Sequence, residues 1–121
     1  MLSPTQKFGR DIEALARAYL IEAGLKFVES NYFCNGGEID LIMRDNDVLI
    51  FVEVRYRHDD NYGGAVESVT KSKQRKIIKA AKVYLQEHKL WDKVSCRFDV
   101  LVMQDYGGSR KIVWLKDAFW V

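Results

Sequence analysis

Gly37-Glu38-Ile39-Asp40-Leu41-Ile42-Met43, the loop Arg44-Asp45-Asn46-Asp47, and Val48-Leu49-Ile50-Phe51-Val52-Glu53-Val54-Arg55-Tyr56 decide the fold of this chain. Two apolar runs flank a short Asp/Asn loop, which predicts antiparallel strands over Glu38–Met43 and Val48–Tyr56 joined as a hairpin. Side chains alternate along a strand. One face therefore takes Ile39, Leu41, Met43, Val48, Ile50, Val52 and Val54. The other takes Glu38, Asp40, Glu53 and Arg55, with Leu49 and Phe51 among them. A turn centred on Asp45-Asn46 sets Phe51 opposite Asp40 and Glu53 opposite Glu38. Asp40 and Glu53 are then diagonal neighbours at roughly 7–8 Å, within reach of a shared ligand.

Acids on one face of adjacent strands repel. At an effective dielectric near 20 and ~7 Å separation, one pair costs about 2 kcal/mol. A positive group is expected among them. A hard divalent cation such as Mg²⁺ fits, because it takes a few carboxylate oxygens and keeps several waters. Arg55, on the same face as Glu53, is the other choice. The plain alternative is a solvent-exposed sheet face whose charges pair. Leu49 and Phe51 on that face, and the basic helix that follows, argue against full exposure.

Upstream, Ser3, Pro4 and Gln6 form a capping-box start for a helix from about Pro4 to Ala23, with Gly24 as its stop. Phe8, Ile12, Leu15 and Tyr19 recur at helical spacing and predict its buried stripe. Glu13 flanks that stripe, facing either solvent or a cleft. Lys26–Phe33 reads as a strand, ended by Asn35-Gly36-Gly37. Downstream, Arg57 to Gly64 reads as a mobile loop. A second helix is expected from about Ser68 to His88, with Val69, Ile77, Ala80, Ala81, Tyr84 and Leu85 on its buried side. Strands near Cys96–Met103 and Lys111–Leu115 follow, with Gly107-Gly108 turning between them. The apolar Phe119-Trp120-Val121 is expected to dock. The order α-β-β-β-α-β-β predicts an α/β domain over residues 1–121, with a mixed central sheet of about five strands flanked by helices.

From Lys71 to Lys82 the second helix carries Lys71, Lys73, Arg75, Lys76, Lys79 and Lys82 and no acid. This is either a phosphate-contacting surface, positioning without reading sequence, or a solvated helix face. Arg57 and His58 open a loop placed to follow a backbone. Tyr62 either stacks on a base or pins the loop.

Gly37-Glu38-Ile39-Asp40-Leu41-Ile42, Phe51-Val52-Glu53-Val54-Arg55 and the basic helix resemble the PD-(D/E)XK nuclease core. Over nearly the whole chain the sequence resembles the small bacterial YraN-type proteins, regarded as endonuclease-like and distantly similar to archaeal Holliday junction resolvases. Gly9 with Glu13, Lys73-Gln74, and Arg97-Phe98-Asp99-Val100 belong to that match. The resemblance implies a restriction-endonuclease-like fold and Mg²⁺- or Mn²⁺-dependent hydrolysis of DNA, branched or otherwise structured. It also implies a homodimer. Asp40 and Glu53 match the metal-binding acids, Glu13 the first-helix acid, and Lys73 or Gln74 the extra polar residue of the following helix. Lys71, Arg75, Lys76 and Arg57 would join in holding nucleic acid. Ile39 replaces the motif's Pro, and Arg55 stands where the motif has Lys. Arg stays charged and cannot be a general base, which leaves water activation to the cation and charge neutralisation to Arg55. The competing reading is a non-catalytic DNA-binding module that keeps the nuclease fold. A structural or interaction protein, with Glu53–Arg55 a mere ion pair, is a third.

Composition fits a globular domain. The 121 residues are 48% hydrophobic and 30% charged, with net charge +2, too small a total to argue for nucleic acid. Two cysteines, Cys34 and Cys96, are too few for a disulfide framework and favour a reduced, cytoplasmic chain. Neither a membrane span nor a secretory signal is expected. Cys34, Cys96, His58 and His88 show no metal-ligand spacing. Cys96 is expected in the core, Arg97 and Asp99 as a supporting ion pair, and Trp91, Trp114 and Trp120 in the core or on a docking surface. No phosphate-binding loop or G-x-G-x-x-G is present, so nucleotide-dependent chemistry lacks support.

Overall fold

The computed structural model describes residues 1–58 and 69–120. Helix α1 (Pro4–Glu22) leads into β1 (Lys26–Cys34), β2 (Gly37–Asp45) and β3 (Val48–Arg57); α2 (Lys71–Glu87), β4 (Ser95–Tyr106) and β5 (Ser109–Phe119) follow. The five strands form one mixed sheet in the order β1-β2-β3-β4-β5. All neighbours are antiparallel except β3 and β4, which run parallel from Val48↔Ser95 to Arg57↔Gln104. A parallel pair needs a crossover, and α2 supplies it. The expected α-β-β-β-α-β-β order holds. Tyr62 and Ser68 lie outside the described residues, as does the expected loop beyond His58.

The helix starts follow from local chemistry. Ser3 Oγ accepts the Gln6 N–H at 3.2 Å and Gln6 Oε1 accepts the Ser3 N–H at 3.0 Å. Thr70 caps α2 by accepting the Lys73 N–H at 3.1 Å. Gly24, at φ +105°, turns the chain out of α1.

The buried stripe of α1 differs from expectation. Ile12, Ala16 and Leu20 face the sheet, while Phe8 and Leu15 are each 44% exposed and Tyr19 is also exposed. Small Ala16 lets the helix axis approach the strands, which rotates the larger side chains onto its flanks. There Phe8 meets Tyr56 edge-on at 4.8 Å and Tyr19 meets Trp114 at 6.5 Å. Ile12, Ala16 and Leu20 pack with Leu41, Met43, Ile50, Val52, Leu101 and Met103. On the opposite face Ile77, Ala80, Ala81 and Tyr84 of α2 pack with Ile42, Leu49, Phe51, Phe98 and Val100. The acid-bearing side of the hairpin is therefore covered by α2 and is not an open face.

Two further expectations are corrected. Ile39 sits on the α2 side with Ile42, not with Leu41. The pairs run Ser30↔Leu41 and then Tyr32↔Ile39, and Asn31, between them, adopts φ +53°. This twist turns both strands over at the Asn31/Asp40 level. Cys96 is exposed rather than core, lining a surface pocket with Ile78, Ala81 and Leu85 of α2. Of the two places expected for the tryptophans, Trp91 and Trp120 take the surface rather than the core, and Phe119 docks by stacking on Phe98 at 5.1 Å, while Val121 lies outside the described residues. Trp114 is half-buried and donates to Asp99.

Gly37 opens β2 directly beneath α2. A Cβ there would collide with the Lys76 carbonyl oxygen and press on Ala80. Backbone cannot yield as a side-chain tip does, so Gly37→Ala is expected to cost about 1–3 kcal/mol. Urea unfolding measures this; a loss below about 0.5 kcal/mol would show that α2 shifts freely over β2.

Candidate functional site

The hairpin register places the acids. Pairing runs Asp45↔Val48, Arg44↔Leu49, Met43↔Ile50, Ile42↔Phe51 and Leu41↔Val52. The turn is thus Asn46-Asp47, one residue later than expected, with Asn46 at φ +53°, a conformation that Asn tolerates. Phe51 faces Ile42 and not Asp40, and the predicted Glu53–Glu38 pairing is replaced. One step beyond Leu41↔Val52 the next positions are Asp40 and Glu53. There the ladder gives way, and Asp40 Oδ2 instead accepts the Val54 N–H at 2.9 Å. The two acids meet where the strands part, closer than the diagonal the sequence suggested.

Glu53 is only 3% exposed. Its Oε2 lies 3.6 Å from Lys73 Nζ, and its Oε1 is buried without a hydrogen-bond partner among the described residues. Burial first, then contact with the Asp40 carboxylate, hold its carboxyl up at about 9, against the opposing pull of Lys73 and Arg55. Two carboxylates bond to each other only through a proton or a cation. Burial and the neighbouring carboxylate both favour the protonated form of Glu53, and Lys73 lies against its Oε2.

Two more acids converge. Glu38, half-buried on β2, is raised by burial and by Asp40, against Lys73. Glu13 approaches from α1, raised by burial and by Asp40, while a hydrogen bond with Asn31 lowers it. The sheet thus brings Glu13, Asp40, Glu53 and Arg55 of the predicted set together. Lys73, expected on a phosphate-binding surface, turns inward to Glu53. Gln74 donates from Nε2 to the Val69 carbonyl at 3.0 Å and braces the chain entering α2. Lys71, Arg75 and Lys76 are exposed, and Arg57 ends β3 half-buried. The sequence placed Glu38 on the acid face without giving it a role, and Asn31, whose signal was a polar residue interrupting β1, went unnoticed.

The donor set suits a hard cation: two adjacent carboxylates, one with an unpartnered buried oxygen. Among the described residues no group of three or more His, Cys, Asp or Glu is gathered tightly enough to hold a metal alone. Asp40 and Glu53 offer two ligands, and a Mg²⁺-like ion would complete its shell with water and phosphate.

The raised Glu53 carboxyl makes stability depend on pH. The unfolded chain loses this proton near 4.5 while the folded one keeps it to about 9. Glu53 therefore contributes fully below pH ~4.5, and that contribution is lost as pH rises toward ~9. Glu53→Gln keeps the shape and lets an amide N–H reach Asp40. It is expected to be more stable than the native chain by roughly 1–3 kcal/mol near pH 8, the gap closing near pH 4. Chemical denaturation at both pH values checks this; an equal or smaller gap at pH 8 contradicts it.

A family model described as uncharacterised protein family UPF0102 matches residues 12–103. A UPF0102 protein of Stutzerimonas stutzeri is 47% identical over 118 residues, covering 98% of each chain. One from Legionella pneumophila is 50% identical over 115 residues, covering 95% of this chain and 96% of its own. One from Coxiella burnetii is 47% identical over 118 residues, covering 98% and 96%. No helix among the described residues is long and apolar enough to cross a membrane.

Proposed function

We propose that this chain, which belongs to the uncharacterised protein family UPF0102, is a nucleic-acid-binding protein of endonuclease type that hydrolyses DNA phosphodiesters with Mg²⁺ or Mn²⁺. The observation that carries the reading is the half-buried Asp40 beside the buried Glu53, whose Oε1 has no partner among the described residues while Lys73 lies 3.6 Å from its Oε2. Asp40 and Glu53 would hold the cation, displacing the Glu53 proton, and the cation would supply Lewis-acid polarisation of the phosphate and an activated water. Lys73 and Arg55 then face the charge that develops on the phosphate. Glu13, tied to Asn31, orients the acid cluster from the α1 side. The exposed Lys71, Arg75 and Lys76 would position DNA through its phosphates. Branched DNA and a homodimer follow from the nuclease resemblance and are part of the proposal.

One feature favours a second reading. Arg55 in place of the motif lysine cannot act as a general base, which suits a DNA-binding module that no longer cuts.

Calorimetric titration with Mg²⁺ and with Mn²⁺ separates the two. The native chain is expected to bind, more tightly as pH rises because a proton must leave Glu53. An Asp40→Ala, Glu53→Ala double variant is expected not to. A native chain that binds neither ion, even with a DNA substrate present, contradicts the hydrolytic reading.

A further inference from the structure

A groove of about 290 Å³ lies between α1 and β1, lined by Arg10, Glu13, Arg17, Ser30, Asn31 and Leu41. On α1, Arg10, Glu13 and Arg17 are spaced three and four residues apart and so share one helix face. The two arginines lie about 10 Å apart along the axis, from two turns of rise. Ser30 and Asn31 of β1 offer a hydroxyl and an amide from the opposite wall. Leu41 and Glu13 form the inner end. Glu13 senses both Asp40 and Glu38, so the groove opens directly onto the acid centre. Arg17 is not a loose surface side chain: it is half-buried, with its guanidinium 4.7 Å over the Phe27 ring. Stacking orders the side chain before any ligand arrives and leaves its edge N–H groups to bond.

We propose that this α1–β1 groove is a phosphodiester-binding subsite, in which Arg10 and Arg17 grip the nucleic-acid strand on the side of the acid centre away from α2. This rests on the nucleic-acid reading above and adds a second flank to it. Lys73 reaches Glu53 from the α2 side, and Glu13 reaches Asp40 from the α1 side. A strand crossing the acids passes from the cations of α2 into a groove with two guanidinium groups, a hydroxyl and an amide. Guanidinium matches phosphate geometry with paired N–H donors. Among the described residues Glu13 is the one acid lining the groove, against the two arginines.

The test uses the full chain and two fluorescein-labelled probes, a single strand of about 20 nucleotides and its duplex, followed by anisotropy across a NaCl series. An Arg10→Gln, Arg17→Gln double variant is expected to bind at least 10-fold more weakly at low salt. Its slope of log affinity against log salt should be shallower by one to two units, about one for each phosphate that is no longer neutralised. Arg17 also packs on Phe27, so Ala14→Glu serves as the independent variant. Ala14 is exposed, lines the same groove, and accepts Glu within a helix. The added negative charge is expected to weaken binding at least 10-fold with the thermal midpoint unchanged. Native-like affinity and slope in both variants, while Lys71→Gln, Lys76→Gln weakens binding, overturns the groove and leaves the nucleic-acid reading standing. No salt-dependent binding by the native chain to either probe overturns both.

Discussion

Replacing Asp99 by Ala is expected to remove about 3–5 kcal/mol of stability, the range for breaking one side of a buried ion pair. Asp99 has 0% exposure and four donors. Arg97 gives two, Nε to Oδ1 at 2.8 Å and Nη2 to Oδ2 at 2.9 Å. Trp114 Nε1 gives a third at 2.8 Å, and the Asp117 N–H a fourth at 2.9 Å. The last two arise where β4 and β5 slip register between Phe98↔Phe119 and Val100↔Leu115, with Asp117 at φ +55°. The carboxylate is the partner that this irregular stretch requires. Its removal strands a guanidinium, an indole N–H and a backbone N–H at once. Against a typical stability of roughly 5–15 kcal/mol, Asp99→Ala should be substantially unfolded at 37 °C. Asp99→Asn, which keeps one acceptor oxygen, should lose less. Urea unfolding of both variants decides; a loss under 1 kcal/mol for Asp99→Ala would mean that water replaces the carboxylate without penalty.

Asp40 carries the second large expectation, and here the effect is on activity. Asp40→Asn keeps an oxygen to accept the Val54 N–H and removes a charge that raises Glu13, Glu38 and Glu53 alike. Stability should hold within about 1 kcal/mol of native or rise. Asp40→Ala lacks the acceptor and should lose about 1–3 kcal/mol, the cost of an unsatisfied N–H. Under the proposed function, cation-dependent DNA cleavage should fall at least 100-fold in both, with DNA affinity changed only a few-fold, since the proposed phosphate contacts at Lys71, Arg75 and Lys76 lie elsewhere. Nicking assays on linear and branched DNA, beside anisotropy, make the comparison. An Asp40→Asn chain that still cleaves at the native rate removes Asp40 from the chemistry.

Much of this was legible in the chain before its fold. Asp40 and Glu53 stood out because acids interrupt two apolar runs, and parity alone put them on one face. Their true closeness was not legible. It depends on Asn46 entering the left-handed region, and Asp-Asn-Asp offers several turn centres of similar merit. The α1 stripe was misread because periodicity rewards bulky residues, whereas Ala16 is buried by being small. Ile39 changed sides because of Asn31, a twist that strict alternation has no means to foresee. Lys73 was marked, with Gln74, only by the family resemblance; by composition it looked like its neighbours in a basic run. Only the packing of α2 over β2 and β3 shows that Lys73 turns toward Glu53.

The two-residue Asn46-Asp47 turn has a consequence for how such a chain can diverge. From Asp45↔Val48 to Leu41↔Val52 the ladder is continuous, so the turn meters out, at about 3.4 Å per residue, where Asp40 and Glu53 come abreast. Substitutions along that hairpin change packing locally. An insertion or deletion at its tip would re-index the whole ladder and pull the acids out of step, though it lies more than about ten ångströms from them. The spacing of Asp40 and Glu53 thus depends on the length of this turn, whereas the Gly107-Gly108 turn at the other edge places no such constraint on the two acids.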